Sequence, residues 1–400
     1  MTWYNNVIMY QKAKVQTNDF TECITTGKVL YNRYASFQVT DHTRQYYTKK
    51  TTQCDGRKQR MNIEKTWASW NDAHLFSGVF SVANEQGILF EKCCGFRNKS
   101  EDLPNDRNTA FGIASGTKLF TGLAICKLID AGKLSLDDKL WDIVPFDLGQ
   151  INKQISIHHL LTHTSGIGDY IDEENPNAVE QMLALYKQYP VYLWERLEYY
   201  LPMITPLPQK FEPGVRFGYS NAGFVLLGLV VEAITGIPYQ QFVSEEMIRP
   251  LNLLHTGFYR MDALPANTAL GYTESAMPGQ WQTNAFCMPI VGGSDGGLYT
   301  CAQDLSILWR AVFACCLFSE KTLQPFLKKQ VVRSEKKSYG LGVYRYDNGT
   351  DTAYYALGGD FGVDFFTAYF PQKGIVASAL GNTEINTFPL LDALFSVILT

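Results

Sequence analysis

Strand-like sequence stands at both ends of this chain and helix-like sequence lies between, and few folds accommodate that order. LFSGVFSVANEQGILFEKCCGFRN (75–98) reads as a strand, a Glu85-Gln86-Gly87 turn and a second strand, a hairpin. From about 339 the alternation returns in YGLGVYRYDNG, TAYYALGG and DFFTAYFPQKGIVASALGN. These predict three strands, with turns at Asn348-Gly349 and Gln372-Lys373-Gly374, before a closing helix over 386–399. Apolar residues at 119, 120, 123, 124, 128 and 129 have helical spacing, and Ala131-Gly132 supplies the stop. A second apolar helix runs from Asn221 to Thr235 and ends at Gly236 and Pro238. The stretch from 134 to about 290 reads as helix and loop, with Pro-rich joints near 202–213. The fold class implied is α+β. One antiparallel sheet is built from the N- and C-terminal segments and flanked by helices, with a mostly helical lobe inserted.

Residues 1–62 differ from the rest. They hold ten Lys/Arg against four Asp/Glu, about +6, although the whole chain carries −4. KVLYNRYASFQVT (28–40) favours strands, so this part is expected to be a basic, β-rich extension ahead of a domain spanning 63–400. With 46% hydrophobic and 18% charged residues the chain is globular, and its mild acidity gives no drive toward nucleic acid or anionic membrane. The longest apolar run, AGFVLLGLVV (222–231), is too short to span a bilayer, which needs ~20 residues. The start, MTWYNNVIMYQKAK, lacks the charged and apolar regions of a secretory signal. Nine cysteines read as mostly reduced thiols, and the two adjacent pairs, Cys93-Cys94 and Cys315-Cys316, as core thiols. Together these predict a cytoplasmic location.

Three motifs carry chemistry. In IASGTKLF (113–120), Ser115 precedes Lys118 by three residues at the head of a helix, so the two share a face. A serine becomes a nucleophile when a neighbour takes its proton, and a buried lysine can do so. Ser115 as a helix cap with Lys118 in solvent fits the same letters. In FGYSNAGF (217–224), Tyr219 can relay protons and Asn221 can orient a carbonyl and a lysine together. In YYALGGDFGVDFF (354–366), the pair Gly358-Gly359 would let backbone approach a ligand, or mark a turn between edge strands. His158, His159 and His163 have a spacing that could suit a metal pair, but no Glu follows as in H-E-x-x-H. No metal or cofactor is expected.

Taken in order, these motifs resemble those of the serine β-lactamase and penicillin-binding-protein family, in the branch of class C β-lactamases, D-Ala-D-Ala carboxypeptidases and related esterases. IHHLLTHTSGI (157–167), EPGVRFGYSNAGFVLLGLVVEAITG (212–236), IRPLNLLHTGF (248–258), GGLYTCAQDL (296–305) and YGLGVY (339–344) look like the family too, so the resemblance runs from about 65 to 400. It implies a serine hydrolase working through an acyl-enzyme on an ester, amide or peptide. Ser115 would be the nucleophile, Lys118 or Tyr219 the base, Tyr219 the proton relay and Asn221 the orienting amide. The amides of Ser115 and Asp360 would hold the oxyanion. The family usually places Lys or His at the head of the third motif, where this chain has Leu357 before Gly358 and Gly359. A missing cation there weakens the expected grip on a substrate carboxylate, though Arg216 or Arg345 could substitute. An esterase or peptidase is therefore expected ahead of a D-Ala-D-Ala carboxypeptidase or weak β-lactamase. A catalytically silent binding protein is the alternative outside enzymes. The partner expected is a small-molecule or peptide substrate.

Overall fold

The computed structural model describes residues 56–175, 177–274 and 280–399. Eight strands form the main sheet: β1 (Gly78–Asn84), β2 (Gly87–Cys94), β3 (Val331–Val332), β4 (Lys337–Tyr339), β5 (Tyr344–Asp347), β6 (Thr352–Asp360), β7 (Val363–Phe370) and β8 (Ile375–Gly381). Their order is β2-β1-β8-β7-β6-β5-β4-β3, and each neighbouring pair is antiparallel. The hairpin of β1 and β2 thus pairs with the last strand, Phe80 opposite Ala379, so segments from before and after the long intervening lobe make one sheet.

Of five principal helices, α1 (Gly56–Asn71), α2 (Thr117–Asp130), α4 (Ala302–Phe313) and α5 (Phe388–Ile398) pack on this sheet, and α3 (Asn221–Thr235) packs on α2. Strands β7 and β8 are buried along their whole length because helices cover both sheet faces. On one face Phe80, Phe366 and Phe370 pack with α1 and α5 through Trp67, Leu394 and Phe395. On the other, Val79, Phe365 and Leu380 join the larger core with α2, α3 and α4. Successive residues such as Phe365 and Phe366 therefore serve different cores, as strand alternation requires. Helix α3 ends at Gly236, whose φ of +73 gives the left-handed C-cap.

Three expectations change: the boundary at residue 62, the number of strands after residue 337 and the setting of Gly358-Gly359. The boundary drawn at residue 62 falls inside α1, because Ile63, Trp67 and Trp70 recur at helical spacing and bury one stripe against the sheet. The expected strand at 28–40 lies outside the described residues. From 337 onward there are five strands instead of three. Gly342 (φ +87) separates β4 from β5, and Gly362 (φ +63) turns β6 into β7. Gly358 and Gly359 accordingly lie within β6, opposite Phe365 and Asp364, on a central strand and not in an edge turn. The regular structure between β2 and β3 is mainly helix, joined by long loops, with three small two-stranded sheets among the described residues, one of them pairing Tyr272–Glu274 with Trp281–Thr283. Among the described residues no single helix is long and apolar enough to cross a membrane.

Candidate active site

The chain turns sharply into α2. Ala114 has φ +43, a conformation that costs a non-glycine residue about 1–3 kcal/mol. Ser115 then sits in a 3-10 turn, Ala114–Gly116, ahead of the helix proper. It caps nothing. Thr117 does the local work, donating to the Ala114 carbonyl at 2.8 Å and accepting the Leu298 amide at 3.0 Å. Gly116 is required because the Phe365 ring presses on it, and an added Cβ would lie 2.3 Å from Cε1. The Ser115 hydroxyl is thereby left to Lys118, whose Nζ is 2.9 Å from Ser115 Oγ. Lys118 is buried and not solvated. Its Nζ also donates to Asn221 Oδ1 at 2.7 Å and to the Asp295 carbonyl at 2.7 Å. The second Ser-x-x-Lys, Ser334 to Lys337, is used differently, with Lys337 Nζ on Asp392 at 2.8 Å.

Tyr219 and Asn221 stand at the head of α3, and one loop, His163 to Tyr170, organises that head. The first helical amides need acceptors. His163 Nδ1 accepts from Ser220 N–H at 3.0 Å. Asp169 accepts from Asn221 N–H at 2.5 Å and Ala222 N–H at 3.2 Å. Ser220 Oγ accepts from Gly223 N–H at 3.0 Å. The accepting Nδ1 puts the His163 proton on Nε2, and burial pushes its pKa well below the usual range, so the ring is neutral. It packs on Tyr219 with ring centroids 4.5 Å apart. The Lys118 ammonium lies 5.0 Å from the Tyr219 ring centroid.

Electrostatics separate the two candidate bases. Burial lowers the pKa of Lys118, and the nearby carboxylates of Asp295, Glu173, Asp169 and Asp360 oppose that shift. Burial raises the Tyr219 phenol well above its usual value, chiefly by desolvation, while a hydrogen bond with Ser115 pulls the other way. Asp169 is pushed up to about 7 by burial, against its backbone donors and Lys118.

The third motif meets the first across backbone. Strand β5 pairs with β6 only as far as Tyr355. Beyond it β6 runs beside the Ser115 turn, and Gly359 and Asp360 share with Ser115 the lining of a cleft of about 740 Å³. Five acidic side chains also line the cleft, Glu173, Asp295, Asp360, Asp364 and Glu384, and among the described residues no Lys or Arg does. Leu357 lines a small pocket beside Ser115, Lys118 and Tyr219, and it packs against the α1/α5 core. Arg216 pairs with Glu174 at 3.0 Å and Arg345 with Asp347 at 2.6 Å. Neither lines the cleft, so neither stands in for the missing cation.

The three histidines part company. His158 Nε2 is 3.2 Å from Gln330 Oε1, and His159 Nδ1 accepts from Ser156 N–H to close a capping box. Among the described residues no His, Cys, Asp or Glu group is arranged to hold a metal. Cysteines 93, 94, 126, 287, 301, 315 and 316 are all free thiols, but the adjacent pairs are not core residues as expected: Cys93 and Cys316 are exposed and Cys94 and Cys315 half-buried. Asp169, Tyr170 and Asp295 were not singled out from sequence. Their one local signal is position in glycine-rich stretches, GIGDY and GGSDGG.

Over residues 59–395 the chain matches the family model described as beta-lactamase. A solved penicillin binding protein from Bacillus halodurans is 37% identical, with 84% of this chain and 98% of that chain covered and a TM-score of 0.75. Penicillin-binding protein 4* of Bacillus subtilis is 25% identical over 297 residues, 72% of this chain and 63% of that protein. Protein flp of Staphylococcus aureus is 29% identical over 202 residues, 50% of this chain and 38% of that protein. The chain therefore spans less than two thirds of the length of these last two relatives.

Proposed function

The chain belongs to the beta-lactamase family, and from that premise we propose that it is a serine hydrolase that turns over an ester, amide or peptide through an acyl-enzyme on Ser115. The observation that carries this reading is the set of three contacts at Lys118 Nζ. Two partners, Asn221 Oδ1 and the Asp295 carbonyl, can only accept hydrogen bonds. The third, the Ser115 hydroxyl, can accept or donate. A neutral amine would give its two N–H groups to the first two and turn its lone pair to the serine proton. The protonated form fits the same positions, so proton transfer needs no rearrangement. Desolvation of Lys118 favours the neutral form.

Ser115 Oγ attacks the carbonyl carbon and Lys118 takes the hydroxyl proton. The oxyanion forms between the amides of Ser115 and Asp360. Tyr219, kept a phenol, gives a proton to the leaving group and recovers one through Lys118. In deacylation water takes the place of the leaving group and the steps run in reverse: Tyr219 passes its proton to Lys118 and takes one from the water, and Lys118 returns its proton to Ser115 Oγ as the acid departs. Apart from Lys118, which serves as the base, no described Lys or Arg stands at the cleft to bind a substrate carboxylate, and its lining is rich in acidic side chains. Together with Leu357 this supports an esterase, amidase or peptidase reading over a D-Ala-D-Ala carboxypeptidase or β-lactamase.

The test is intact-protein mass after exposure to a fluorophosphonate and, separately, to a penicillin, for the unmodified protein and Ser115→Ala. A Ser115-dependent adduct with the fluorophosphonate alone is the expected result. An adduct with both would move the protein to the penicillin-recognising side. No adduct with either would overturn the hydrolase reading and leave the silent binding protein.

A further inference from the structure

The two acceptors of the Lys118 ammonium come from parts of the chain far apart in sequence, Asn221 and Asp295, and each is tied to one of two adjacent residues. Asp169 takes the Asn221 and Ala222 amides and so fixes where α3 begins and where the Asn221 side chain starts. Tyr170 donates its phenol proton to the Asp295 carboxylate, through Oδ2. We infer that Asp169 and Tyr170 are a pair of positioning residues that aim the Lys118 amine at Ser115 by holding its other two partners in place. The inference rests on Lys118 acting as the base.

Each tie is needed for a physical reason. Asp295 lies in Gly292-Gly293-Ser294-Asp295-Gly296-Gly297, where glycines restrain the backbone little. Gly297 has φ +91 and packs on Gly292, so the loop doubles back on itself. A carbonyl in such a loop can swing away from Nζ unless its side chain is anchored. Tyr170 is buried against Tyr200, ring centroids 5.4 Å apart, and supplies that anchor. It stays a phenol, since burial and the Asp295 charge both disfavour its anion.

The 163–170 loop is itself held on several sides. The amides of Lys210, Gly214 and Gly218 donate to the carbonyls of Gly166, Thr164 and His163 at 2.7, 2.7 and 2.8 Å. Gln209 Nε2 donates to the Ser165 carbonyl at 2.6 Å. A Cβ at Gly168 would meet Leu207 Cβ at 2.5 Å, so the chain has no slack just before Asp169. One pinned loop therefore sets both acceptors, and through them the direction of the Lys118 lone pair.

The experiment measures the second-order rate of fluorophosphonate labelling of Ser115, with kcat and KM on a simple activated ester, in Tyr170→Phe, Asp169→Asn and Lys118→Ala, and in each of the first two combined with Lys118→Ala. Tyr170→Phe and Asp169→Asn are expected to lower the labelling rate and kcat by about 10–100-fold with KM within about twofold. In the Lys118→Ala background each should cost nothing further, because the group being aimed is gone. An equal fold-loss in that background would mean general damage and overturn the inference. Unchanged labelling in both single variants, with Lys118→Ala inactive, would overturn it and leave Lys118 as base. Unaltered labelling in Lys118→Ala would instead remove the base assignment beneath it. Should Asp169→Asn fail to fold, the Tyr170→Phe cycle decides by the same criteria.

Discussion

Gly358 presses on the backbone of Ile113: a Cβ added at 358 would stand 2.1 Å from the Ile113 carbonyl oxygen and 3.0 Å from the Gly116 amide nitrogen. This contact brings a central strand against the turn that carries Ser115. It also sets the distance between that turn and the Asp360 amide two residues on. The next glycine differs. Gly359 is exposed and has nothing within 4 Å of its would-be Cβ.

The two glycines therefore make a matched pair for mutagenesis. Gly358→Ala should push β6 from the Ser115 turn and lower kcat by at least about 10², the cost of a lost oxyanion donor. Gly359→Ala should leave thermal stability unchanged and alter mainly KM for bulky acyl groups. Steady-state kinetics and a melting curve on both variants check this. Equal effects of the two would argue against a backbone contact at 358.

The identity of the base has its own signature in pH. The acid limb of kcat/KM reports loss of a proton from the free enzyme's base. With Lys118 as that base, activity rises with pH through a lysine pKa held below the usual ~10.4 by burial. Tyr219 is shifted the other way and remains a phenol over the same range. Tyr219→Phe should lower kcat/KM by about 10²–10⁴ without moving the limb. Lys118→Arg should be inactive at every pH, since a guanidinium does not release its proton. A limb that vanishes in Tyr219→Phe would transfer the base role to the tyrosine.

Asp360 links the site to stability. Burial pushes its carboxyl up to about 7, and the charges of Asp295 and Glu384 add to the shift. In the unfolded chain an aspartate titrates near ~3.9. The folded form thus holds the proton more tightly, and its stabilising effect is full below about 4 and is lost as pH rises through about 7. Asp360→Asn should flatten the fall in urea midpoint between pH 5 and pH 8. The catalytic rate should survive, because the oxyanion donor proposed at this residue is its backbone amide and not its carboxylate.

Local spacing controls the parts of the molecule that were legible in the chain. Ser115 and Lys118 share a face because they are three residues apart, and the structure joins them at 2.9 Å. Helix α3 reads correctly from Asn221 to Thr235 because a capping serine precedes it and Gly236 ends it. Asp169 was not legible, since its link to Asn221 crosses 52 positions and depends on how a loop closes. Tyr170 and Asp295 are 125 positions apart, and their link was hidden for the same reason. The strand count was low because Gly342 and Gly362 are single glycines whose positive φ makes a turn, and an isolated glycine in an apolar stretch reads equally as a bulge.

Helix α1 was missed for another reason, and it gives the last prediction. Its basic and polar letters, GRKQRMNIEKTWASWN, hide an apolar stripe of three residues. The Trp67 ring stacks on Phe80 of β1, centroids 4.8 Å apart and planes 7° from parallel, and meets Phe76 edge-on at 5.2 Å. Both Trp67 and Phe80 are buried. Removing a buried aromatic ring of this kind costs about 3–5 kcal/mol. Trp67→Ala should therefore lower the unfolding free energy by that amount in urea titration, with an unchanged m-value. A loss below about 1 kcal/mol, within the range of an ordinary surface substitution, would show that α1 only rests on the sheet. The larger loss would make the helix part of the folded unit that holds Ser115 in place.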